Sequence, residues 1–385
     1  MAGSINQDAM RDLNLKLMLQ MLFNRPQTSR IEIANHLKLN KSTISSLYTT
    51  LSNQGYISEI GQGMSSEAGG RRPILIKFNR HYGYSINFEL GHHHLRMMVN
   101  WINGEKISFS STPVIDQPIE AIVEMMKIQI HQVSIPKATH GLLGISIAIN
   151  GIVDHNQVVD SPFIDMGSIN LADALAEFGV PVMLENEANL AAIAASDYLI
   201  HPTERNIIAL DVHNGIGAGI IINHKLYRGR HGQAGEVGRS IFYPEPQARV
   251  IRPIEESFSE DALFDRLKDI KKIAHLDRNR FLQYYRSDDP EAQQLMLEFI
   301  NAITFILYNL DQSFSPDIIY LQSRIVGEIP SLINNIEARY AELSATNQPA
   351  IQLSPMIEDA PLYGGAAVIT HQALGLTNYD LHLNL

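Results

Sequence analysis

No cysteine occurs among the 385 residues of this chain. It can therefore form no disulfide, offer no thiolate nucleophile and build none of the cysteine-rich zinc sites. Tryptophan occurs once, at Trp101, and reads as packing rather than as a ligand platform. No apolar run approaches the roughly 20 residues of a membrane-spanning helix. The N-terminus lacks the basic stretch and continuous apolar run of a secretory signal. Charged residues are sparse, at 18% beside 45% apolar ones, a globular balance rather than a disordered one. A cytoplasmic protein of two or three domains is expected at this length.

The charge that is present is unevenly placed. Residues 1–80 hold ten Lys or Arg against five acids, leaving twenty bases and thirty-six acids to the remainder. A basic head on an acidic body meets a polyanion only through the head. In that head, Met10, Leu13, Leu17 and Met21 recur at helical spacing, and Leu15, Leu19 and Leu22 extend the apolar surface. The spacing predicts a broadly buried first helix, ending near Asn24-Arg25-Pro26. Ser29 and Glu32 have the spacing of a capping box, and Asn40 suits an N-cap for a third helix. There Ile44, Leu47, Tyr48 and Leu51 form the inward stripe. Lys41, Ser42, Thr43, Ser45, Ser46 and Thr49 lie on or beside the outward face. Small hydroxyls and one Lys suit a helix that reads a major groove. Strands at Tyr56–Ile60 and Ile74–Phe78 flank a glycine-rich loop, with Arg71 and Arg72 at its end. The pattern predicts a winged helix-turn-helix over residues 1–80, with residues 79–83 as linker.

Beyond residue 80 strands and helices alternate, giving an α/β body. Strands are expected near 84–90, 95–101, 106–110, 142–149, 181–184, 207–212, 317–322 and 350–354. The main helices are expected near 118–133, 171–178, 187–199, 259–314, 328–341 and 364–374. Two strand-rich blocks of similar order suggest a duplicated body with a cleft between its lobes. One lobe would take about 81–185 with the C-terminal helix, the other about 186–365. His92-His93-His94 reads as a hairpin end rather than a metal site, since successive strand residues face opposite ways. Glu185 reads as a loop residue. The stretch from Asn214 to Gly238 predicts a hairpin turning at Asn223-His224, because Asn tolerates positive φ. Gly215, Gly217 and Gly219 bare one face of its first strand to a ligand, a phosphate or another segment.

Five markers in order make this sequence resemble the ROK family of repressors, open reading frames and kinases. They are Asn150-Gly-Ile-Val-Asp154, Glu185-Asn-Glu-Ala-Asn189, Gly215-Ile-Gly-Ala-Gly219, Ala234-Gly-Glu-Val-Gly238 and Gly364-Gly-Ala-Ala367. Leu39–Ser46, Glu59–Gly63 and Gly69–Pro73 further resemble the xylose repressors of Gram-positive bacteria. The resemblance implies a winged-helix head on a two-lobed actin/hexokinase-like (ribonuclease H-like) body. It implies sugar contacts from Asn186, Glu187, Glu236 and Glu255, with Gly151 in the first marker and Arg239 beside them.

The departures from the family's kinases bear on activity. Their phosphate-holding D-x-G-x-T is Glu89-Leu-Gly-His-His93 here, and their second phosphate loop is His213-Asn214-Gly-Ile-Gly217. Their glycine-rich adenosine segment is Leu321–Ile325, and the residue matching their catalytic Asp is Glu187. Phosphoryl transfer rests on positioning and charge stabilisation, so losing several cradle residues together should abolish it. The family's zinc-binding His is Arg239 and its cysteines are missing, so neither metal nor cofactor is expected. The reading is a dimeric repressor of xylose-utilisation genes, not an enzyme. It would bind an inverted-repeat operator and answer a sugar, D-xylose first, bound between the lobes. Two alternatives stay open: a regulator with a degenerate sugar site controlled by a protein partner, and an active sugar kinase.

Overall fold

Local chemistry starts the helices of the head. The computed structural model describes residues 7–63, 72–199, 203–241, 252–344 and 348–385. Helix α1 (Gln7–Asn24) is followed by a two-residue strand β1 (Thr28–Ser29), then α2 (Arg30–Leu37) and α3 (Lys41–Asn53). The capping box is complete: Glu32 N donates to Ser29 Oγ at 3.3 Å and Ser29 N to the Glu32 carboxylate at 2.9 Å. Asn40 caps α3, its Oδ1 accepting from Thr43 N at 2.8 Å. Asn40→Ala should therefore cost about 1 kcal/mol, read as a lower urea midpoint for the head.

Helix α3 buries Ile44, Leu47 and Leu51. Tyr48, expected with them, is only half-buried; its hydroxyl donates to Glu59 at 2.6 Å while Arg30 covers its ring. Strands β2 (Ile57–Gln62) and β3 (Ile74–Phe78) pair antiparallel, and β1 joins β3. Three helices and this small sheet form a winged helix. Helix α1 is buried broadly only from Met18 to Phe23, where Phe23 meets Phe78 edge-on at 5.0 Å; Met10 and Leu13 are exposed. The linker at 79–83 is a packed 3-10 turn. Tyr82 stacks on Tyr56 and meets His140, each at 4.3 Å. The C-terminus also grips the head, because Gln20 and Asn24 both donate to Asp380 O at 2.9 Å.

The body opens with β4 (Tyr84–Leu90), β5 (His94–Trp101), β6 (Lys106–Pro113), α4 (Ile119–Gln132) and β7 (Leu142–Ile149). The hairpin β8 (Ile152–Asp154) and β9 (Gln157–Asp160), short α5 (Leu171–Ala174), β10 (Val182–Asn186) and α6 (Glu187–Tyr198) follow. A second block runs β11 (Ile207–Val212), β12 (Ile216–Ile222) and β13 (Lys225–Leu226). Then come α7 (Glu255–Phe258), α8 (Glu260–Lys271), α9 (Arg278–Arg286) and α10 (Pro290–Phe314). The chain closes with β14 (Ile318–Ser323), α11 (Arg324–Glu328), α12 (Ser331–Leu343), β15 (Ala350–Leu353) and α13 (Ala360–Leu374). The helix expected over 171–178 breaks after Ala174 into a 3-10 turn that ends at left-handed Gly179. The span 259–314 is three main helices, because Asp277 and Asp289 each cap a new start.

The two five-stranded sheets have one topology. Their orders are β6-β5-β4-β7-β10 and β13-β12-β11-β14-β15, so in each block the first strand is central and the hairpin lies to one side. The duplication expected from the strand pattern is present. The chain divides into two compact units. One holds the head, the first sheet and Gly365–Leu385; the other comprises Ile149–Ser161 and Glu185–Gly364. In the second unit α10 supplies much of the core, including Leu295, Met296, Phe299, Ile303 and Leu307. Among the described residues, no helix is long and apolar enough to cross a membrane.

Candidate functional site

Asn223 and His224 both have positive φ, at 51° and 61°. That is the two-residue turn a right-twisted hairpin favours, and it joins β12 to β13 as expected. The bare glycine face of β12 is covered by another segment, helix α6. A Cβ at Gly219 would lie 2.0 Å from Ala188 O, and one at Gly217 would meet Ala188 Cβ at 3.3 Å. At this strand the glycines let a helix pack close.

Packing α6 on β12 fixes the N-terminus of α6, where the sequence places Asn186 and Glu187. Asn186 caps the helix, its Oδ1 accepting from Asn189 N at 3.1 Å, and its Nδ2 donates to Gly151 O at 2.8 Å. Among the described residues, the second amide hydrogen of Asn186 has no acceptor. Gly151 has φ 146°, and a Cβ there would lie 2.1 Å from Asp160 O. Hairpin β8–β9 can fold over this point only because the side chain is missing. Glu187, half-buried, opens α6.

Glu255 at the start of α7 sits against Gly215 and Gly238, and its Oε2 accepts from Ile216 N at 3.2 Å. The segment 242–251 lies outside the described residues. Its two ends are held together by the Ile241–Pro253 bridge and by Ile254 N donating to Ser240 O at 2.9 Å. Arg239 Nε pairs with Glu236 at 2.9 Å, while its Nη2 donates to Asp160 at 2.7 Å. Burial pushes the Glu236 carboxyl above its ordinary range. Arg239 opposes that shift, and the charges of Glu255 and Asp160 add to it. Gly151, Asn186, Glu187, Glu236, Arg239 and Glu255 therefore belong to one connected patch of a single unit, with carboxylates in excess. Such a patch can accept hydrogen bonds from several hydroxyls at once.

The ROK family model matches residues 85–373. The chain belongs to the ROK family. It is 41% identical to the xylose repressor of Lactiplantibacillus pentosus, over 98% of this chain and 97% of that one. It is 33% identical to the xylose repressor of Staphylococcus xylosus, over 96% and 97%. A ROK family transcriptional regulator, described as a homologue of the E. coli MLC protein, has the same fold. Its TM-score is 0.76 at 20% identity, covering 95% of this chain and 98% of that one. A ROK glucokinase from Streptomyces griseus, solved with glucose and AMPPNP, matches with TM-score 0.63 at 22% identity, over 75% and 100%.

Against the ROK kinase pattern, the phosphate positions are occupied by other contacts. Glu89 is buried, with Arg96 Nη1 donating to it at 2.8 Å and the His94 ring at 3.2 Å. Burial alone would raise the Glu89 carboxyl, but the His94 bond and the Arg96 charge hold it below the ordinary range. His213 pairs with Asp211 at 3.0 Å. His213, Asn214, Arg278 and Arg324 line a cavity of about 230 Å³. In the segment that replaces the ROK adenosine glycines, Ser323 Oγ and Ile325 N both donate to buried Glu260. The ROK zinc site does not fit this donor set: a guanidinium cannot ligate a cation, and no thiolate exists.

The hydroxyl face of α3 is exposed at Lys41, Ser42, Ser45, Ser46 and Thr49, whereas Thr43 is half-buried. Thr49 Oγ1 donates to Ser45 O at 2.9 Å, which leaves its lone pairs outward. Arg72 is exposed; Arg71 lies outside the described residues. Two residues of the patch were missed in the sequence. Glu185 is not a loop residue but the buried end of β10. It accepts from Asn186 N and Asn189 Nδ2, and Arg228 Nε reaches it at 2.8 Å. Asp160 carried no signal, because its partner Arg239 lies 79 positions away. The His92–His94 hairpin end is built of ring contacts, His92 stacking on His93 at 3.8 Å and on Phe163 at 4.8 Å.

Proposed function

We propose that this chain is a sugar-responsive repressor of xylose-utilisation genes, working in the cytoplasm as a homodimer on an inverted-repeat operator. The observation that carries the reading is the pairing of two facts: a carboxylate patch suited to hydroxyls persists, while Glu89 is sealed by Arg96 and His94. A sugar can be held; a metal–phosphate cradle is spoiled, so the protein senses rather than phosphorylates. The names of the full-length relatives support xylose as the first effector to test. In the head, residues 1–80, Lys41, Ser42, Thr43, Ser45, Ser46 and Thr49 would face the major groove, with Arg71 and Arg72 on phosphate or in the minor groove. Asn186, Glu187, Glu236, Glu255, Gly151 and Arg239 would surround the sugar.

To empty an operator the sugar must prefer the non-binding state. Moving a 1:99 population to 99:1 needs about 5.5 kcal/mol of preference. Gel-shift titration on the upstream region of a xylose operon tests the whole reading. Binding should weaken steeply with salt, and D-xylose should release the complex. Lys41→Ala should weaken binding to all sequences and flatten the salt slope by about one unit. Salt-independent binding, or no release by any pentose or hexose, would sink the proposal.

A further inference from the structure

The position where the ROK pattern has a metal-binding histidine holds Arg239, and the guanidinium is shared. It reaches Glu236 with Nε and Asp160, at the end of β9, with Nη2. The nearest oxygen of Glu236 to the guanidinium is Oε2. Among the described residues Oε1 of Glu236 accepts no bond, and neither does Oε1 of Glu255. Asp160, Glu236 and Glu255 together exceed the one positive charge between them, so the patch favours hydroxyl donors. Were Asp160 uncharged, the guanidinium would be free to close side-on over both oxygens of Glu236, the bidentate geometry Arg prefers with a carboxylate. The acceptor would then be masked.

We infer that Asp160 is a positioning residue of the sugar site, drawing Arg239 off Glu236 so that one oxygen stays open to a sugar hydroxyl. The inference rests on the reading of this patch as the sugar site. A merely structural role for the pair is testable separately, because Arg239 and Asp160 are 44% and 47% exposed. Exposed pairs contribute little to stability.

Calorimetry on the full-length protein with D-xylose, beside melting curves, decides it. Asp160→Asn should weaken xylose binding by about 10-fold to 100-fold, the range seen for outer-shell partners of ligating groups, with little change in melting temperature. Asp160→Glu should recover most of the affinity. Because Asp160 acts through Arg239, the double variant D160N/R239Q should bind no worse than R239Q. Wild-type affinity in Asp160→Asn, or additive losses in the double variant, overturns the inference while leaving the sugar site standing. No heat from the wild type with D-xylose, D-glucose or N-acetylglucosamine overturns the sugar site itself, and this inference with it.

Discussion

Glu236→Ala is expected to give a protein that holds its operator and no longer answers any sugar. The carboxylate is partly buried, paired with Arg239 through its nearer oxygen Oε2, and close enough to Glu255 and Asp160 for their charges to act on it. A hydrogen bond to a charged group contributes about 1.5–3 kcal/mol. Losing one or two such bonds to a sugar amounts to roughly 10-fold to 10,000-fold in affinity. The head keeps its own core of Ile44, Leu47, Leu51 and Ile76, so operator binding without sugar should be unchanged. Two titrations of the wild type should run in opposite senses. Glu236 must be ionised to accept from hydroxyls, so xylose affinity should fall as pH drops through its raised value. A carboxyl raised by burial binds its proton more tightly when folded. Its contribution to stability is therefore present below the ordinary Glu value and lost as pH rises through the folded one. Glu236→Gln should remove the pH dependence of affinity and only this one component of the stability profile, and bind xylose weakly at every pH. Calorimetry across the pH range measures the first, and the difference in urea midpoint between wild type and Glu236→Gln measures the second; a pH-independent xylose affinity would remove Glu236 from the site.

What was legible in the sequence was chemistry that acts over a few residues. Ser29 with Glu32, Asn40 with Thr43 N and the Asn223-His224 turn each sit where their side chains or φ preferences put them. The duplicated strand order could be read because each block repeats the same alternation. The ion pairs that shape the patch were not legible, because they join distant segments. Glu185 meets Arg228 and Asp160 meets Arg239 only once the hairpins have folded. Glu89 with Arg96 is intermediate. They are direct cross-strand partners of β4 and β5, so aligning the two expected strands about their turn would have shown a carboxylate opposite a guanidinium.

Gly219→Ala should damage the second unit strongly, and it separates two meanings of the G-x-G-x-G pattern. If the glycines served a phosphate, substitution would alter ligand binding and spare the fold. The added methyl would instead lie 2.0 Å from Ala188 O and 2.6 Å from Ala192 Cβ, so α6 must retreat from β12. Overpacking of this kind costs about 1–3 kcal/mol, and the upper end applies because the obstacle is backbone that cannot rotate away. Gly217→Ala, two residues earlier in the same pattern, meets Ala188 Cβ at 3.3 Å and should cost well under half as much. Because α6 carries the Asn186 cap and Glu187 at its N-terminus, Gly219→Ala should weaken xylose binding as well as stability, and Gly217→Ala neither by much. Urea denaturation and calorimetry on the two variants check this. Equal, small losses of stability in both would mean that α6 does not depend on that bare face, and the glycines would need another reason to be there.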